Sequence, residues 1–290
     1  MSVKGNNHWS KIFFTCILFA ALGIIFLFSG TAVNKYYHIL TPTPGRVIES
    51  IPGFSQKALD PGSIKVLNWN IYKGKRAGWK DDFIRLSGGM DIILIQEACI
   101  EDDNLDIFNI RGMGQHFAKS FSYHKESVFG TGVMTLSKVC PVRVDYLRTF
   151  SKEPVIHTSK ISLITEYPFK KDLATLIVVN IHGLNFVRSA AFESQMSGLE
   201  KKIKDHRGPV IFAGDFNTWN KKRIFILSGI TERLGLKEAV FFPDTRTKRF
   251  RYFLDHVFYK GLKIKQATVF KNIRSSDHKA MEIEFSLASS

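Results

Sequence analysis

Polar residues that can bind cations or move protons accompany a series of short apolar runs in the sequence. Eight of them end such a run, interrupt it or lie just outside it: Asn70, Glu97, His182, Asp215, Asn217, Asp255, Asp277 and His278. A carboxylate buried at such a position costs free energy unless it holds a metal ion, a proton or another polar group. Histidine, with an unperturbed pKa of about 6.5, exchanges protons near neutral pH. These residue types indicate a site for cation binding and acid–base chemistry.

The apolar runs themselves predict β-strands, because they are short, β-branched and bounded by turn residues. The predicted strands span residues 64–72, 91–98, 132–137, 159–167, 173–182, 209–216, 253–259 and 280–285. Helical patterns interrupt them at 76–88, 188–206 and 221–234. Several strands are apolar on both faces, which is typical of central strands covered by helices or by a second sheet. We therefore predict an α/β fold in which layered sheets are flanked by helices.

Taken singly, each polar motif has a structural alternative. An Asp-His pair such as Asp277-His278 is often a turn or a helix cap, and the GDFN tetrapeptide at 214–217 also suits a type I turn. A glutamate after an apolar strand, as at Glu97, is commonly a solvated strand end. The order of all eight residues along the chain, at these strand positions, is what indicates a site.

That order resembles the endonuclease/exonuclease/phosphatase superfamily over residues 63–287. The segments VVNIHGLNF, AGDFNTWNKKR, LDHVFYKGL and SSDH are most similar to the bacterial YafD-type branch. The resemblance implies a deoxyribonuclease I-like fold, which is a four-layered α/β sandwich of two mixed β-sheets flanked by helices. It also implies a hydrolase that acts on phosphate esters.

The resemblance assigns roles residue by residue. Asn70, Glu97 and Asp277 match the metal side of the site, with Glu97 the direct ligand, and these oxygen donors suit Mg²⁺ or Mn²⁺ better than zinc. Asp215 and Asn217 match the pair that orients and activates the attacking water. The remaining three matches are His278 as the catalytic histidine, Asp255 as its hydrogen-bonding carboxylate, and His182 as a phosphate ligand or general acid.

Two departures from the family pattern stand near these residues. The family often has NTHL where this chain has NIHGLN, so the loop after His182 differs. His256 follows Asp255 where many members carry a large residue, and we interpret it as a packed strand residue. Insertions used for substrate recognition elsewhere in the family are not obvious in this sequence.

Positive charge indicates an anionic partner. The formal net charge is +15, and two basic stretches with aromatic residues flank the motifs: Trp219, Lys221, Lys222 and Arg223 in the first, and Arg246, Lys248, Arg249, Phe250, Arg251 and Tyr252 in the second. Such stretches suit a nucleic-acid backbone or another phosphodiester substrate, and equally an anionic membrane surface. Nothing in the sequence indicates an oligomeric state.

Residues 12–33 contain no charge, and a helix of that length crosses the hydrocarbon core of a bilayer. We predict a transmembrane anchor here, with residues 1–11 in the cytoplasm and the catalytic domain outside it; a secretory signal peptide is the alternative. Residues 34–62, which carry four prolines, are predicted to form a linker, and residues 63–287 are predicted to form the catalytic domain.

The three cysteines lack the number and spacing of a disulfide framework or a zinc site.

The sequence therefore predicts a metal-dependent phosphodiester hydrolase, foremost a membrane-tethered nuclease. A lipid-headgroup phosphodiesterase such as a phospholipase C or sphingomyelinase, or a phosphoinositide phosphatase, is the alternative enzyme. A binding protein with a degenerate site is the alternative from another class.

Overall fold

The computed structural model describes residues 38–101, 105–124, 128–154, 156–170 and 174–288. Its helices are α1 (Trp79–Ser87), α2 (Ser189–Ile203) and α3 (Lys221–Arg233), with 3-10 turns at Pro44–Arg46, Tyr72–Gly74 and Leu105–Phe108. Its strands are β1 (His38–Leu40), β2 (Ile48–Ile51), β3 (Ile64–Asn70), β4 (Ile92–Glu101), β5 (Gly114–His124), β6 (Val128–Ser137), β7 (Arg143–Lys152), β8 (Ser159–Tyr167), β9 (Leu176–His182), β10 (Val210–Asp215), β11 (Lys237–Glu238), β12 (Lys248–Arg249), β13 (Tyr252–Phe253), β14 (Asp255–Lys260), β15 (Leu262–Val269) and β16 (Met281–Leu287).

The strands form two mixed sheets and a small hairpin. The first sheet has the order β1-β5-β6-β4-β3-β16-β15, with β2 also paired to β5, and the second has the order β11-β14-β10-β9-β8-β7. In each sheet one central pair is parallel, β3 with β4 and β9 with β10, while the other pairs are antiparallel. Because parallel strands end at the same edge, this pairing brings the polar ends of β3 and β4 together, and likewise those of β9 and β10.

The main core lies between the two sheets. Val66 and Leu94 from the centre of the first sheet belong to the same buried cluster as Val178 and Ile211 from the centre of the second. These strands carry apolar residues on both faces, so their other faces need cover as well. Burying a side chain of this size contributes about 1.5–3 kcal/mol, which makes the inter-sheet layer a main source of stability.

Helices cover the outer faces. Phe83 and Leu86 of α1 pack against the first sheet, beside Trp69 and Ile93. On the second sheet, α2 buries one stripe at helical spacing, Phe192, Met196, Leu199 and Ile203, and α3 packs beside it. The predicted layered α/β arrangement with mixed sheets is confirmed, and the three predicted helices form within a few residues of the expected bounds.

Several strands were not predicted from the sequence because they contain many polar residues. β7 and β15 are edge strands with charged or partly exposed residues along their length, and β5 mixes polar with apolar residues without a regular alternation, although most of its side chains are buried. β1 and β2 fall in the segment predicted to be a linker, and both pair with β5. Hydrophobic patterning does not detect such strands, since their neighbours rather than their own side chains provide the burial.

The membrane prediction needs correction. Among the described residues no helix is long and apolar enough to cross a membrane. The longest described helix, α2, has 15 residues, whereas a crossing takes about 20. This finding contradicts the predicted single-pass membrane localisation. The segment 12–33 and the N-terminal residues 1–11 lie outside the described residues.

Candidate active site

The eight predicted residues meet at one edge of the sandwich. Asn70 ends β3, and Glu97 directly follows Gln96, the last residue of β4 that pairs with β3. His182 and Asp215 end the two strands of the parallel pair in the second sheet. Register places Asp215 directly beside His182 on one side and beside Asp255 on the other. The pairing of the strands within each sheet, together with the packing of the two sheets, thus brings together groups that are more than 100 residues apart in the chain, such as Asn70 and Asp215.

Glu97 owes its position to a β-bulge. The register of β4 against β6 shifts between Gln96 and Ala98, so Glu97 is the extra residue, and its φ is 53°. A bulge re-aims a side chain out of the ordinary alternation of the strand. The Glu97 carboxylate faces the cleft, 3.9 Å from Nε2 of His182. Strained backbone that persists in a well-packed strand is typical of functional positions.

Asp215 lies at the centre of the site and is almost fully buried. Its Oδ2 accepts a hydrogen bond of 3.0 Å from Nδ2 of Asn70, across the interface between the sheets, and its Oδ1 accepts one of 2.9 Å from the backbone N–H of Asn217. Nε2 of His182 and Nε2 of His278 lie 3.7 and 3.8 Å from Oδ2. Burial raises the pKa of Asp215 to about 7, against the opposing charge of His278.

His278 and Asp255 form a hydrogen-bonded dyad. Nδ1 of His278 lies 2.9 and 2.8 Å from the two carboxylate oxygens of Asp255. Although burial alone would lower the pKa of His278, the carboxylates of Asp255 and Asp215 raise it to about 10. The imidazole is therefore a cation at neutral pH, with its Nδ1–H donated to Asp255 and its Nε2–H directed towards the centre of the site.

Lys160 on β8 is a member of the site that the sequence reasoning missed. Its Nζ lies 3.2 Å from Nε2 of His182 and 3.4 Å from a carboxylate oxygen of Glu153. Burial and the positive charges of Lys160 and His278 lower the pKa of His182 well below its ordinary value. His182 is thus a neutral imidazole that accepts a hydrogen bond from Lys160. The sequence around Lys160, in the strand SKISLITEY, gave no sign of this role.

The departure NIHGLN has a structural cause. Gly183 follows His182, and a Cβ at this position would lie 2.5 Å from the backbone oxygen of Phe216. The close approach allows Gly183 to donate its N–H to the backbone oxygen of Asp215 and to accept a bond of 3.0 Å from Nδ2 of Asn217. Asn217 adopts a φ of 53° in the same turn. The glycine therefore locks the loop after β9 to the loop after β10.

Two of the basic residues predicted to contact an anionic partner have buried side chains that stabilise the fold instead. Arg223 is completely buried, and its guanidinium donates to the backbone oxygens of Leu184, Asn217 and Val187, which belong to the two loops that carry the site. Arg246 is also buried, where it forms ion pairs with Asp244 and Glu238. A run of charged residues does not reveal which guanidinium groups are buried, because burial depends on hydrogen-bond acceptors that only the folded chain brings to them.

A buried amide network supports the site from below. Nε2 of Gln96 donates to the side-chain oxygens of Asn68 and Asn180, and Nδ2 of Asn180 donates to backbone oxygens of the first sheet. These bonds join β3, β4 and β9 across the two sheets directly under Glu97 and His182. The only available sequence signal was the presence of amides inside apolar strands.

The site opens into a cleft of about 400 Å³. Six of the predicted residues line it: Glu97, His182, Asp215, Asn217, Asp277 and His278. Asn70 and Asp255 lie behind this surface and contact Asp215 and His278. Lys73, Lys160, Lys248 and Arg249 also line the cleft, so a ring of positive charge surrounds its carboxylates. The arrangement suits an anionic substrate held over a proton-transferring centre.

The carboxylates of the site form two groups that differ in how free their oxygens are to bind a metal ion. Asp215, Asp255 and His278 place ligand atoms within 4.8 Å of one another, but both oxygens of Asp255 are already engaged by His278. Glu97, in contrast, forms no salt bridge with a lysine or arginine in the described part of the chain, and it shares the cleft with the exposed carboxylate of Asp277. Oxygen donors of this kind fit Mg²⁺ or Mn²⁺.

The comparisons with known proteins agree with this geometry. The sequence pattern of the Endonuclease/Exonuclease/phosphatase family matches residues 67–278. A UPF0294 protein of Vibrio campbellii is 33% identical over 285 residues, which cover 96% of this chain and 97% of that protein. A UPF0294 protein of Vibrio vulnificus is 38% identical over 232 residues, 78% of each chain. The predicted resemblance to the family and to its YafD-type branch is confirmed.

Solved structures share the fold at low sequence identity. An endonuclease/exonuclease/phosphatase family protein from Leptotrichia buccalis superposes with a TM-score of 0.59 at 17% identity, over 77% of this chain and all of that one. ANGEL2, described as a 2′,3′-cyclic phosphatase and solved with adenosine-2′,3′-vanadate, gives a TM-score of 0.56 at 15% identity, over 78% of this chain and 96% of its own. Since the family match spans most of the chain and includes all eight predicted site residues, the chain belongs to the endonuclease/exonuclease/phosphatase family.

Proposed function

We propose that this protein is a divalent-metal-dependent phosphodiester hydrolase that cleaves nucleic acid. The observation that carries the proposal is the environment of Asp215, whose carboxylate accepts hydrogen bonds from Asn70 and Asn217 and lies within 3.8 Å of His182 and His278. Membership of the family suggests a phosphoesterase. The finer assignments of metal, substrate and residue roles are part of the proposal.

In this mechanism Asp215 orients the attacking water and takes its proton. A pKa near 7 is suited to a general base at neutral pH, because the group is then partly ionised and still basic enough to accept a proton. The backbone N–H and side-chain amide of Asn217 hold the carboxylate in place.

His278 serves as the fixed cation of the site. Its Nε2–H is directed towards Asp215 and the cleft, and the Asp255 carboxylate keeps the ring charged and oriented. Charge that develops on the nonbridging phosphate oxygens is stabilised most by donors that are already in position. Lys160 adds a second fixed cation next to His182 on the opposite side of Asp215.

Glu97 and Asp277 would hold the divalent cation, which is typical of the family and for which Mg²⁺ is our first choice. Asn70, whose side chain bonds to Asp215 and to the backbone N–H of Tyr72, would support the metal side from behind. When bound, such an ion compensates charge on the phosphate and the departing oxygen. The residues of this chain supply its oxygen donors, and the bulge at Glu97 aims the direct ligand into the cleft.

Nucleic acid is favoured as the substrate because cations and aromatic rings stand together at the cleft. Lys73, Lys248 and Arg249 line it beside Phe186, and cationic grooves with stacking rings suit nucleic-acid strands. A structural neighbour of known chemistry, ANGEL2, is described as a 2′,3′-cyclic phosphatase, which supports a nucleotide-type phosphoester. The alternatives are a lipid-headgroup phosphodiesterase or phosphoinositide phosphatase, and a binding protein with a degenerate site.

The test compares the purified full chain with its Asp215→Asn variant. Both are incubated with supercoiled plasmid, single-stranded DNA, RNA, and phosphatidylinositol or sphingomyelin vesicles, in Mg²⁺ or in chelator. We expect nucleic-acid cleavage that needs both Mg²⁺ and Asp215. Asp205→Asn, a change at an exposed carboxylate on the surface after α2, is the matched control.

Release of a lipid headgroup with intact nucleic acid would favour the alternative enzyme. If the wild type cleaves none of these substrates at any metal concentration while it still binds nucleic acid, the protein is a binding module and the proposal fails.

A further inference from the structure

A continuous stack of aromatic rings and guanidinium groups leads from the core to the mouth of the cleft. The Arg223 guanidinium carbon lies 4.7 Å from the ring centroid of Phe192 and 5.0 Å from that of Trp219. The Trp219 and Phe186 rings are 6.5 Å apart. The Arg249 guanidinium carbon lies 5.2 Å from the Phe186 ring and 6.0 Å from the Phe250 ring. The base stack, as we name it, consists of Phe192, Arg223, Trp219, Phe186, Arg249 and Phe250.

The inner half of the base stack is rigid and the outer half is open. Phe192 and Arg223 are fully buried, and Trp219 is tied to the side-chain oxygen of Asn185 by a bond of 2.9 Å. Phe186 and Phe250, in contrast, are 54% and 82% exposed. Both adopt a positive φ, 51° and 57°. Exposing a phenylalanine in a strained conformation has no benefit for folding, so it points to contact with a ligand.

Charge at the outer end identifies the kind of ligand. Arg249 lies between the two exposed rings, and it lines the catalytic cleft together with Lys248 and Phe186. The salt bridges of the described residues include neither Lys248 nor Arg249. Rings that alternate with unpaired cations match the alternation of bases and phosphates in a nucleic-acid strand.

We propose that Phe186 and Phe250 stack unpaired bases and that this base stack makes the enzyme select single-stranded over double-stranded nucleic acid. The inference rests on the proposed function, which it deepens. Stacking requires an exposed base face, and in a duplex both faces of each base are covered by neighbouring bases. The cleft of about 400 Å³ is also of the size that takes a small ligand, and this fits one extended nucleotide.

The test measures binding in chelator, so that cleavage does not interfere. Fluorescein-labelled oligothymidylate and a hairpin duplex are titrated with the full chain at fixed salt, because the phosphate contribution to affinity depends on salt. We expect tighter binding of the single strand. Phe250→Ala and Phe186→Ala should each weaken single-strand binding about tenfold, as for the loss of one base–aromatic stack, and should change duplex binding far less.

Controls separate stacking from other effects. Phe150→Ala removes a fully exposed phenylalanine of β7 outside the base stack, and we expect no change in either affinity. Phe250→Trp should retain single-strand binding, while Phe250→Leu, which keeps the apolar volume without the π-face, should lose it. All three Phe250 variants should keep the melting temperature of the wild type, because the side chain is exposed.

The outcomes distinguish this inference from the proposed function. Equal affinity for single strand and duplex in the wild type, or equal loss of both in Phe250→Ala, would overturn the selectivity even if Mg²⁺-dependent cleavage through Asp215 is observed. Selective binding that depends on Phe250, without any cleavage in Mg²⁺, would support the base stack and refute the nuclease.

Discussion

Nζ of Lys160 lies 3.2 Å from Nε2 of His182, although the two residues belong to different strands and no sequence motif indicates their contact. The contact defines one wall of the cleft. It fixes Nε2 of His182 as a hydrogen-bond acceptor, and it places an ammonium group in the cleft that Asp215 also lines.

Lys160→Met should therefore impair catalysis. The change keeps the length of the side chain but removes the cation, and loss of one fixed donor to a developing phosphate charge reduces kcat by about 10²-fold or more. Cleavage of bis(p-nitrophenyl) phosphate in Mg²⁺ measures the effect. Lys138→Met is the matched control, since Lys138 pairs with Asp91 away from the cleft. A Lys160→Met enzyme with wild-type kcat would exclude the assigned role.

Asp255→Asn should reduce kcat about a thousandfold with little change in KM. The amide retains the shape of the carboxylate but no longer keeps His278 charged and oriented, an effect of the same kind as in other histidine–aspartate pairs. Steady-state kinetics on a short oligonucleotide separate the two parameters. Asp145→Asn, which alters a carboxylate paired with Lys202 on the outer surface, should leave both unchanged. A rise in KM alone would contradict the prediction.

Glu97→Gln should weaken metal binding. Loss of the proposed direct ligand is expected to raise the Mg²⁺ concentration for half-maximal activity at least tenfold, and to remove the rise in melting temperature that a bound Mg²⁺ ion would give the folded state. Calorimetric titration with Mg²⁺ gives a reading that does not depend on activity. Glu282→Gln on β16 serves as control. Identical Mg²⁺ affinity in wild type and Glu97→Gln would show that Glu97 is not a metal ligand.

Arg223→Lys should destabilise the fold by about 3 kcal/mol, because a lysine cannot replace a guanidinium that reaches the backbone oxygens of Leu184, Asn217 and Val187. Urea unfolding measures the change. Lys222→Met, one position earlier and exposed, should alter the free energy of unfolding by less than about 0.5 kcal/mol. Equal stability of the two variants would mean that the buried guanidinium is dispensable.

Acid should destabilise the protein partly through Glu238. Burial would raise the pKa of this carboxylate, but its bonds to His256 and Arg246 lower it to about 2 from an ordinary 4.5. A lowered folded-state pKa contributes stability above pH 4.5 that is lost as the pH falls towards 2. The contribution is at most about 1 kcal/mol, since the side chain is 40% exposed and solvent screens it.

The corresponding variant is Glu238→Gln. Its melting temperature should be lower than that of the wild type at pH 6 and should fall less steeply between pH 4.5 and 2. Glu193→Gln, at an exposed position of α2, should follow the wild-type curve. Parallel curves for wild type and Glu238→Gln would show that the carboxylate is not linked to folding in this range.

The sequence predicted the central strands, the three helices and all eight polar residues of the candidate site. These features could be predicted because β-branched apolar runs specify buried strands locally, and because the order of the polar residues along the chain resembles that of a known family. The polar strands β5, β7 and β15 were not predicted, since their burial or pairing depends on neighbours far away in the chain. The predicted membrane localisation was wrong, as no helix among the described residues is long and apolar enough to cross a membrane.

Sequence by itself determined which residue types stand at the strand ends, and through them the class of chemistry. Only the tertiary structure decided which of them touch: that Asp215 meets Asn70 across the two sheets, that Lys160 faces His182, and that Arg223 is buried while Arg249 faces the cleft. The physical reason is that the pairing of β3 with β4, of β8 with β9 and of β9 with β10, and the packing of the two sheets, bring these groups together. Those contacts span long sequence separations, which no local pattern of residues encodes.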